Sequence, residues 1–297
     1  MNIQKIKRLS HRLSHRLSNH LFRSVWLALG MVLLPLGSAS AELVPVDIEL
    51  VLAVDVSGSV DWQEAGLQRE GYVAVIKSPE FVAAIGSGIL GKIAMTYVEW
   101  AGEGYQTKVI DWRMVEDQAS AEAFAASLLK SPIDTGPWTS ISDIIQHSVP
   151  LFKTNIYQGT RRIIDISGDG PNNSGSLVTG ARDAAARQGI TINGLPIIND
   201  RLQPSGRKQI ADLDKYYAAC VIGGPRAFLV VAHSFKDFAR AIRRKMIFEI
   251  AGVMPPNWRA HSKQPEYLHQ IANLYPPGCD IGERRLQQRR TFGGDEF

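Results

Sequence analysis

Three short segments of the chain carry oxygen-bearing side chains of the kind that bind hard cations. Asp55-Val56-Ser57-Gly58-Ser59 offers one carboxylate and two hydroxyls in a single stretch, Asp169 lies in Ile166-Ser167-Gly168-Asp169-Gly170, and Thr139 lies in Gly136-Pro137-Trp138-Thr139-Ser140. Carboxylate and hydroxyl oxygens, with no Cys or His among them, suit Mg²⁺, Mn²⁺ or Ca²⁺ better than zinc. Two carboxylates balance a divalent charge, and three neutral hydroxyls leave positions for water or for an acidic group from a partner. Taken singly, each segment is ordinary turn chemistry. The first could also cap a helix beginning near Trp62, with Ser or Asp oxygens accepting free backbone amides. Capping uses one or two of these oxygens and needs neither Thr139 nor Asp169.

The elements that must position these residues follow from the apolar pattern. Strand-like runs over 48–54, 93–100, 107–112, 162–166, 191–195 and 228–232 alternate with helix-like runs over 62–77, 119–130, 140–152, 178–188, 208–218 and 235–250. Such alternation predicts a doubly wound α/β domain with helices on both faces of a mostly parallel six-stranded sheet. Leu50-Val51-Leu52-Ala53-Val54 is apolar at every position, as a strand buried on both faces must be. The third strand follows the second through Gly102-Glu103-Gly104, a hairpin-like turn, so one edge pair is expected to be antiparallel. In this architecture Asp55 ends the first strand at the carboxyl edge of the sheet, where open α/β sheets bind ligands.

At these residues the chain resembles the von Willebrand factor A domain, a Rossmann-like fold whose metal-ion-dependent adhesion site uses Asp-x-Ser-x-Ser, a distant Thr and a distant Asp. The resemblance spans roughly 46–252. Trp138-Thr139-Ser140, the segment Cys220-Val221-Ile222-Gly223-Gly224-Pro225 and an export signal resemble more narrowly an exported bacterial family of this type with no assigned function. The resemblance implies that Asp55, Ser57, Ser59, Thr139 and Asp169 surround a Mg²⁺-type ion. It implies a binding or adhesion role with no catalysis, the partner being a protein or peptide that supplies Asp or Glu. Trp138 would add apolar contact beside the ion. Two positions depart from the pattern: Gly168 stands where the family usually has Thr before its last Asp, and Pro137-Trp138 replaces a Gly before the distant Thr.

Composition limits the alternatives. Residues 1–41 read as a cleaved signal peptide: Lys5, Lys7, Arg8, Arg12, Arg16 and Arg23 precede an apolar run over 25–36 and the small-residue pattern Ala39-Ser40-Ala41. That run is short for a membrane span, so no permanent anchor is expected, and export to a periplasm or the exterior is. The leader holds six of the 33 basic residues and none of the 29 acidic ones, leaving 27 against 29, a net −2, in the remainder. A nucleic-acid partner therefore has no compositional support. Residues 42–252 form the expected domain. Residues 253–297, with Pro276-Pro277-Gly278 and a charged run to Arg290, read as a mobile or loosely docked extension. An oxidising compartment permits a disulfide between Cys220 and Cys279, and the sequence leaves open whether it forms.

Several enzymatic readings are weaker. Gly86-x-Gly88-x-x-Gly91 matches a nucleotide fingerprint in letters, but it precedes a strand where the motif must follow one. A metal-dependent phosphohydrolase is the main rival, yet it wants a second carboxylate where Ser57 stands. A scaffold with a vestigial metal site is the remaining alternative.

Overall fold

The structure, a computed structural model, describes residues 42–199, 208–252 and 275–292. The leader with its cleavage pattern lies outside them, as do residues 253–274 at the start of the C-terminal extension. Strands β1 (Val44–Asp55), β2 (Ile93–Trp100), β3 (Gln106–Val115), β4 (Tyr157–Gly168) and β5 (Ile190–Pro196) form one sheet in the order β3-β2-β1-β4-β5. β1 is central and parallel to β2 and β4, and β3 runs antiparallel beside β2. The turn into β3 has Gly104 at φ 76°, a left-handed conformation that favours glycine.

Among the described residues the helices are α1 (Trp62–Ile76), α2 (Pro79–Gly86), α3 (Gln118–Lys130), α4 (Ile141–Leu151), α5 (Val178–Ala186), α6 (Leu213–Tyr216), α7 (Phe238–Ala251) and α8 (Ile281–Phe292). Successive side chains of a strand point to opposite faces, and β1 feeds both core layers in this way. Leu50, Leu52 and Val54 pack with Tyr72 of α1, Phe124 of α3 and Phe238 of α7, whereas Val51 and Ala53 pack with Ile144 of α4 and Ala181 of α5. No helix among the described residues is long and apolar enough to cross a membrane.

Among the described residues the sheet has five strands, not the six expected. Residues 228–232 do run parallel to β5, but they meet it only in isolated bridges at Gly194–Leu229 and Ile197–Ala232. The Gly194 N–H donates to Phe228 C=O, Val230 N–H to Gly194 C=O and Ala232 N–H to Pro196 C=O. The next rung in this register would run from residue 196 to Val230 C=O, and Pro196 has no N–H to donate. The ladder breaks there, and the segment covers the β5 edge without becoming a strand.

The helix expected over 208–218 is also different. It shrinks to one turn, α6, which passes directly into a π-turn at Tyr217–Val221. That turn contains Cys220, which is joined to Cys279 with Cα atoms 5.5 Å apart. The bond ties residues 275–292, the described part of the C-terminal extension, to the layer under α5.

Candidate metal centre

The register of the central strands brings the two carboxylates together. Val54 pairs with Ser167 across the β1–β4 ladder, so Asp55 and the Gly168-Asp169 step leave the same edge side by side. Asp55 is fully buried, and its Oδ1 accepts the Ser57 N–H at 2.7 Å, which turns the loop back over the strand end. The Ser57 and Ser59 hydroxyls lie 3.1 Å apart, and Ser59 Oγ donates to Asp169 Oδ1 at 2.5 Å. Thr139 arrives from the third loop: Gly136 N–H donates to Val56 C=O, and Thr139 Oγ1 donates to Ser57 Oγ at 3.3 Å. The 169–174 loop closes the arrangement, with Asn173 Oδ1 accepting the Thr139 N–H and Thr139 C=O accepting from Asn173 N–H. All five residues expected from the sequence therefore converge.

The competing use as a helix cap is taken by another residue. Asp61 caps α1, its carboxylate accepting the Glu64 N–H at 2.9 Å while Glu64 reaches back to the Asp61 N–H. None of Asp55, Ser57 and Ser59 is needed for it.

The electrostatics fit a cation. Asp55 Oδ2 and Asp169 Oδ2 are both buried with no hydrogen-bond partner. Burial pushes the Asp55 carboxyl up to about 6. Burial, then the neighbouring Asp55 charge, pushes Asp169 up to about 8. Two carboxylates held this close in a dry site resist full ionisation unless a positive charge joins them. Among the described residues no group of three or more His, Cys, Asp or Glu side chains is placed to hold a metal. The donor set here is two carboxylates and three hydroxyls, which suits an oxygen-seeking ion such as Mg²⁺.

Trp138 stands at the rim and not among these oxygens. Its side chain is 45% exposed, and its backbone is left-handed at φ 64°, a conformation unfavourable for a bulky residue. The surroundings enforce it: Gly102 N–H donates to Pro137 C=O, and a Cβ on Gly102 would lie 2.6 Å from that same oxygen.

One residue of the site escapes sequence reasoning. The Tyr217 hydroxyl, buried and without a partner, points at the strand end. A Cβ built on Gly168 would lie 2.7 Å from Tyr217 OH and 2.8 Å from Asp55 Oδ2, so glycine is what lets the phenol approach. Burial and then the Asp55 charge hold this hydroxyl well above its ordinary value, so it remains a proton donor. The signal in the sequence was Gly168 itself, since a close-packed interior must fill the space of a missing side chain. Nothing near it in the chain says which residue does so.

A profile of the family described as "Protein of unknown function (DUF1194)" matches residues 45–254. No curated protein matches the sequence. Among solved structures, proximal thread matrix protein 1 from the mussel byssus superposes with a TM-score of 0.51 at 14% identity, covering 71% of this chain and 50% of that one. The pilus adhesin SpaC from Lactobacillus rhamnosus GG gives 0.52 at 14% identity, covering 70% of this chain and 31% of that one. A von Willebrand factor type A protein from Catenulispora acidiphila gives 0.48 at 14%, covering 69% and 43%. The chain thus spans half or less of the length of these proteins. The likeness is one of fold, and the resemblance to the von Willebrand factor A domain holds at that level.

Proposed function

We propose, for a chain that belongs to the DUF1194 family of proteins of unknown function, that it is a divalent-cation-dependent binding domain whose partner supplies a carboxylate. The observation that carries this reading is the pair of buried, unpartnered oxygens on Asp55 and Asp169, beside the Ser57 and Ser59 hydroxyls of the Asp55 loop and the Thr139 hydroxyl from a third segment. Asp55 and Asp169 would balance the charge of Mg²⁺, Mn²⁺ or Ca²⁺, while Ser57, Ser59 and Thr139 offer neutral oxygens. The bound ion supplies an open coordination position for a carboxylate oxygen of a protein or peptide. Trp138, presented at the rim, gives that partner apolar area. Export of the chain fits with this role, and the Cys220–Cys279 bond supports an oxidising location.

Thermal melting with and without Mg²⁺ or Mn²⁺ tests the ion. At a hundredfold excess over Kd, a ligand of the folded state adds about 2.7 kcal/mol. In a domain of this size that is a rise of roughly 5–10 °C. An unchanged midpoint with either ion at millimolar concentration would remove the proposal.

Tyr217 gives a second expectation. Tyr217→Phe removes a donor beside Asp55 Oδ2 and should lower Mn²⁺ affinity by about 1 kcal/mol, with little effect on metal-free stability. Gly168→Ser should lower it further, because its Cβ collides with both the phenol and the carboxylate. Joining the two substitutions should recover part of that loss, since the phenol oxygen is one of the clashing atoms. Calorimetric titration of Mn²⁺ into the three variants decides it. Equal affinity of Tyr217→Phe and wild type would exclude the phenol from the site.

A further inference from the structure

The ion site does not face open solvent on every side, because α8 stands next to it. Among the described residues, three contacts of this segment bear on the site. Cys279 is bonded to Cys220 in the π-turn that carries Tyr217. Glu283 accepts from Asn172 Nδ2 at 2.7 Å, three residues past Asp169. Gly282 lies against the same loop so closely that a Cβ there would fall 1.9 Å from Asn172 C=O. Only a residue without a side chain lets the helix approach this far.

Between α8 and the site loops lies a cleft of about 700 Å³, with Ser59, Thr139 and Trp138 on one wall and Arg285 and Leu286 on the other. This volume is in the range of ligand-binding clefts. Among the described residues, the ionisable side chains lining it are Lys208 and Arg285, both cationic. That local excess contrasts with the net −2 of the chain after the leader. Trp138 and Leu286 also border a second recess of about 250 Å³, whose ionisable side chains among the described residues are Glu103 and Glu283. An anionic ligand is thus favoured on the Arg285 side and disfavoured beyond the Trp138–Leu286 pair.

Resting on the ion site proposed above, we infer that α8 makes the site a cleft for an extended acidic peptide, one carboxylate directed to the ion and a second to Arg285. A peptide is the occupant that uses both kinds of wall. Its alternate side chains can meet the cationic end and the apolar surface of Trp138 and Leu286, which a free dicarboxylate cannot do at once.

Titration calorimetry on the full, disulfide-bonded chain separates this from the parent reading. Mn²⁺ alone is titrated first, and failure to bind would remove the ion site itself. With Mn²⁺ saturating, the blocked peptide acetyl-Glu-Leu-Glu-amide is expected to bind. Arg285→Glu, at an exposed helix position, should weaken it about tenfold while leaving Mn²⁺ affinity within about twofold. Arg285→Lys should retain most of the affinity. A peptide with one Glu replaced by Gln should bind more weakly and respond little to Arg285→Glu. The inference is overturned if the two-carboxylate peptide fails to bind the Mn²⁺-loaded chain, or if Arg285→Glu leaves its affinity unchanged. Succinate binding as tightly as the peptide would also overturn it, by showing a small dicarboxylate site.

Discussion

Lys245→Met is expected to destabilise the fold by about 3–5 kcal/mol at neutral pH, the loss typical of a buried ion pair deprived of one partner. Lys245 of α7 is fully buried and contacts Asp165 of β4 and, at 2.7 Å, Glu249 one turn on. Asn193 Nδ2 also donates to Glu249 at 2.8 Å. Burial, and then the Glu249 charge, pushes the Asp165 carboxyl up to about 8, with the ammonium opposing the shift. Removing the cation leaves two carboxylates in a dry interior, where they must take up protons or repel one another.

The pH dependence has a definite sign. A carboxyl whose folded pKa is raised from 3.8 to about 8 binds a proton more tightly in the folded chain. Its stabilising effect is complete below pH 3.8 and is lost as pH rises through about 8. The wild-type chain should therefore weaken across that window, and Asp165→Asn should flatten the decline. Lys245→Met should steepen it, so its deficit is larger at pH 8 than at pH 5. Denaturant unfolding at the two pH values measures this, and a loss below about 1 kcal/mol at neutral pH would mean the cluster does not depend on the ammonium.

Asp169→Asn is expected to act in opposite directions with and without a divalent ion. In ion-free buffer the substitution removes one of two adjacent buried carboxylates, each with an unpartnered Oδ2. Asp169 is held up to about 8 by burial and by the Asp55 charge, so a neutral side chain relieves an unfavourable arrangement. The asparagine oxygen can still accept from Ser59. Metal-free stability should rise by on the order of 1 kcal/mol, the free energy of about one pKa unit. With Mg²⁺ or Mn²⁺ in excess, the stabilisation of about 2.7 kcal/mol at a hundredfold excess over Kd should vanish. Paired melts in chelator and in Mg²⁺ would show the variant above wild type in the first and below it in the second. A variant that keeps the full ion-dependent rise would exclude Asp169 from the site.

Both acids, Asp165 and Asp169, belong to β4 or to the loop that leaves it. β4 carries Asp165 to the α7 layer and, through Gly168, delivers Asp169 to the carboxyl edge. The stabilising cluster and the proposed ion site thus use acids of β4 and its end that lie four positions apart. Asp165 has its cation built in at Lys245, whereas among the described residues no cation pairs with Asp55 or Asp169.

Much of this was legible without the fold. The central apolar strand predicted burial on both faces, and the Asp-x-Ser-x-Ser segment at its end predicted an oxygen-rich edge, because both depend on neighbours in the chain. The antiparallel β3 followed from a glycine-bounded turn. Five oxygen-bearing residues were identified as a group through their resemblance to a known pattern, and strand register then placed Asp55 beside Gly168 and Asp169. The tertiary structure alone decided that residues 228–232 stop short of a sixth strand, because the missing N–H belongs to Pro196 on another segment. It alone decided that Tyr217 fills the space above Gly168, that Cys220 meets Cys279 across 59 residues, and that a charged C-terminal stretch becomes the helix beside the site. Periodicity and turn chemistry reach over a few residues, so they set elements and their ends. Which distant side chain occupies a given space depends on how those elements pack, and that information is spread over the whole chain.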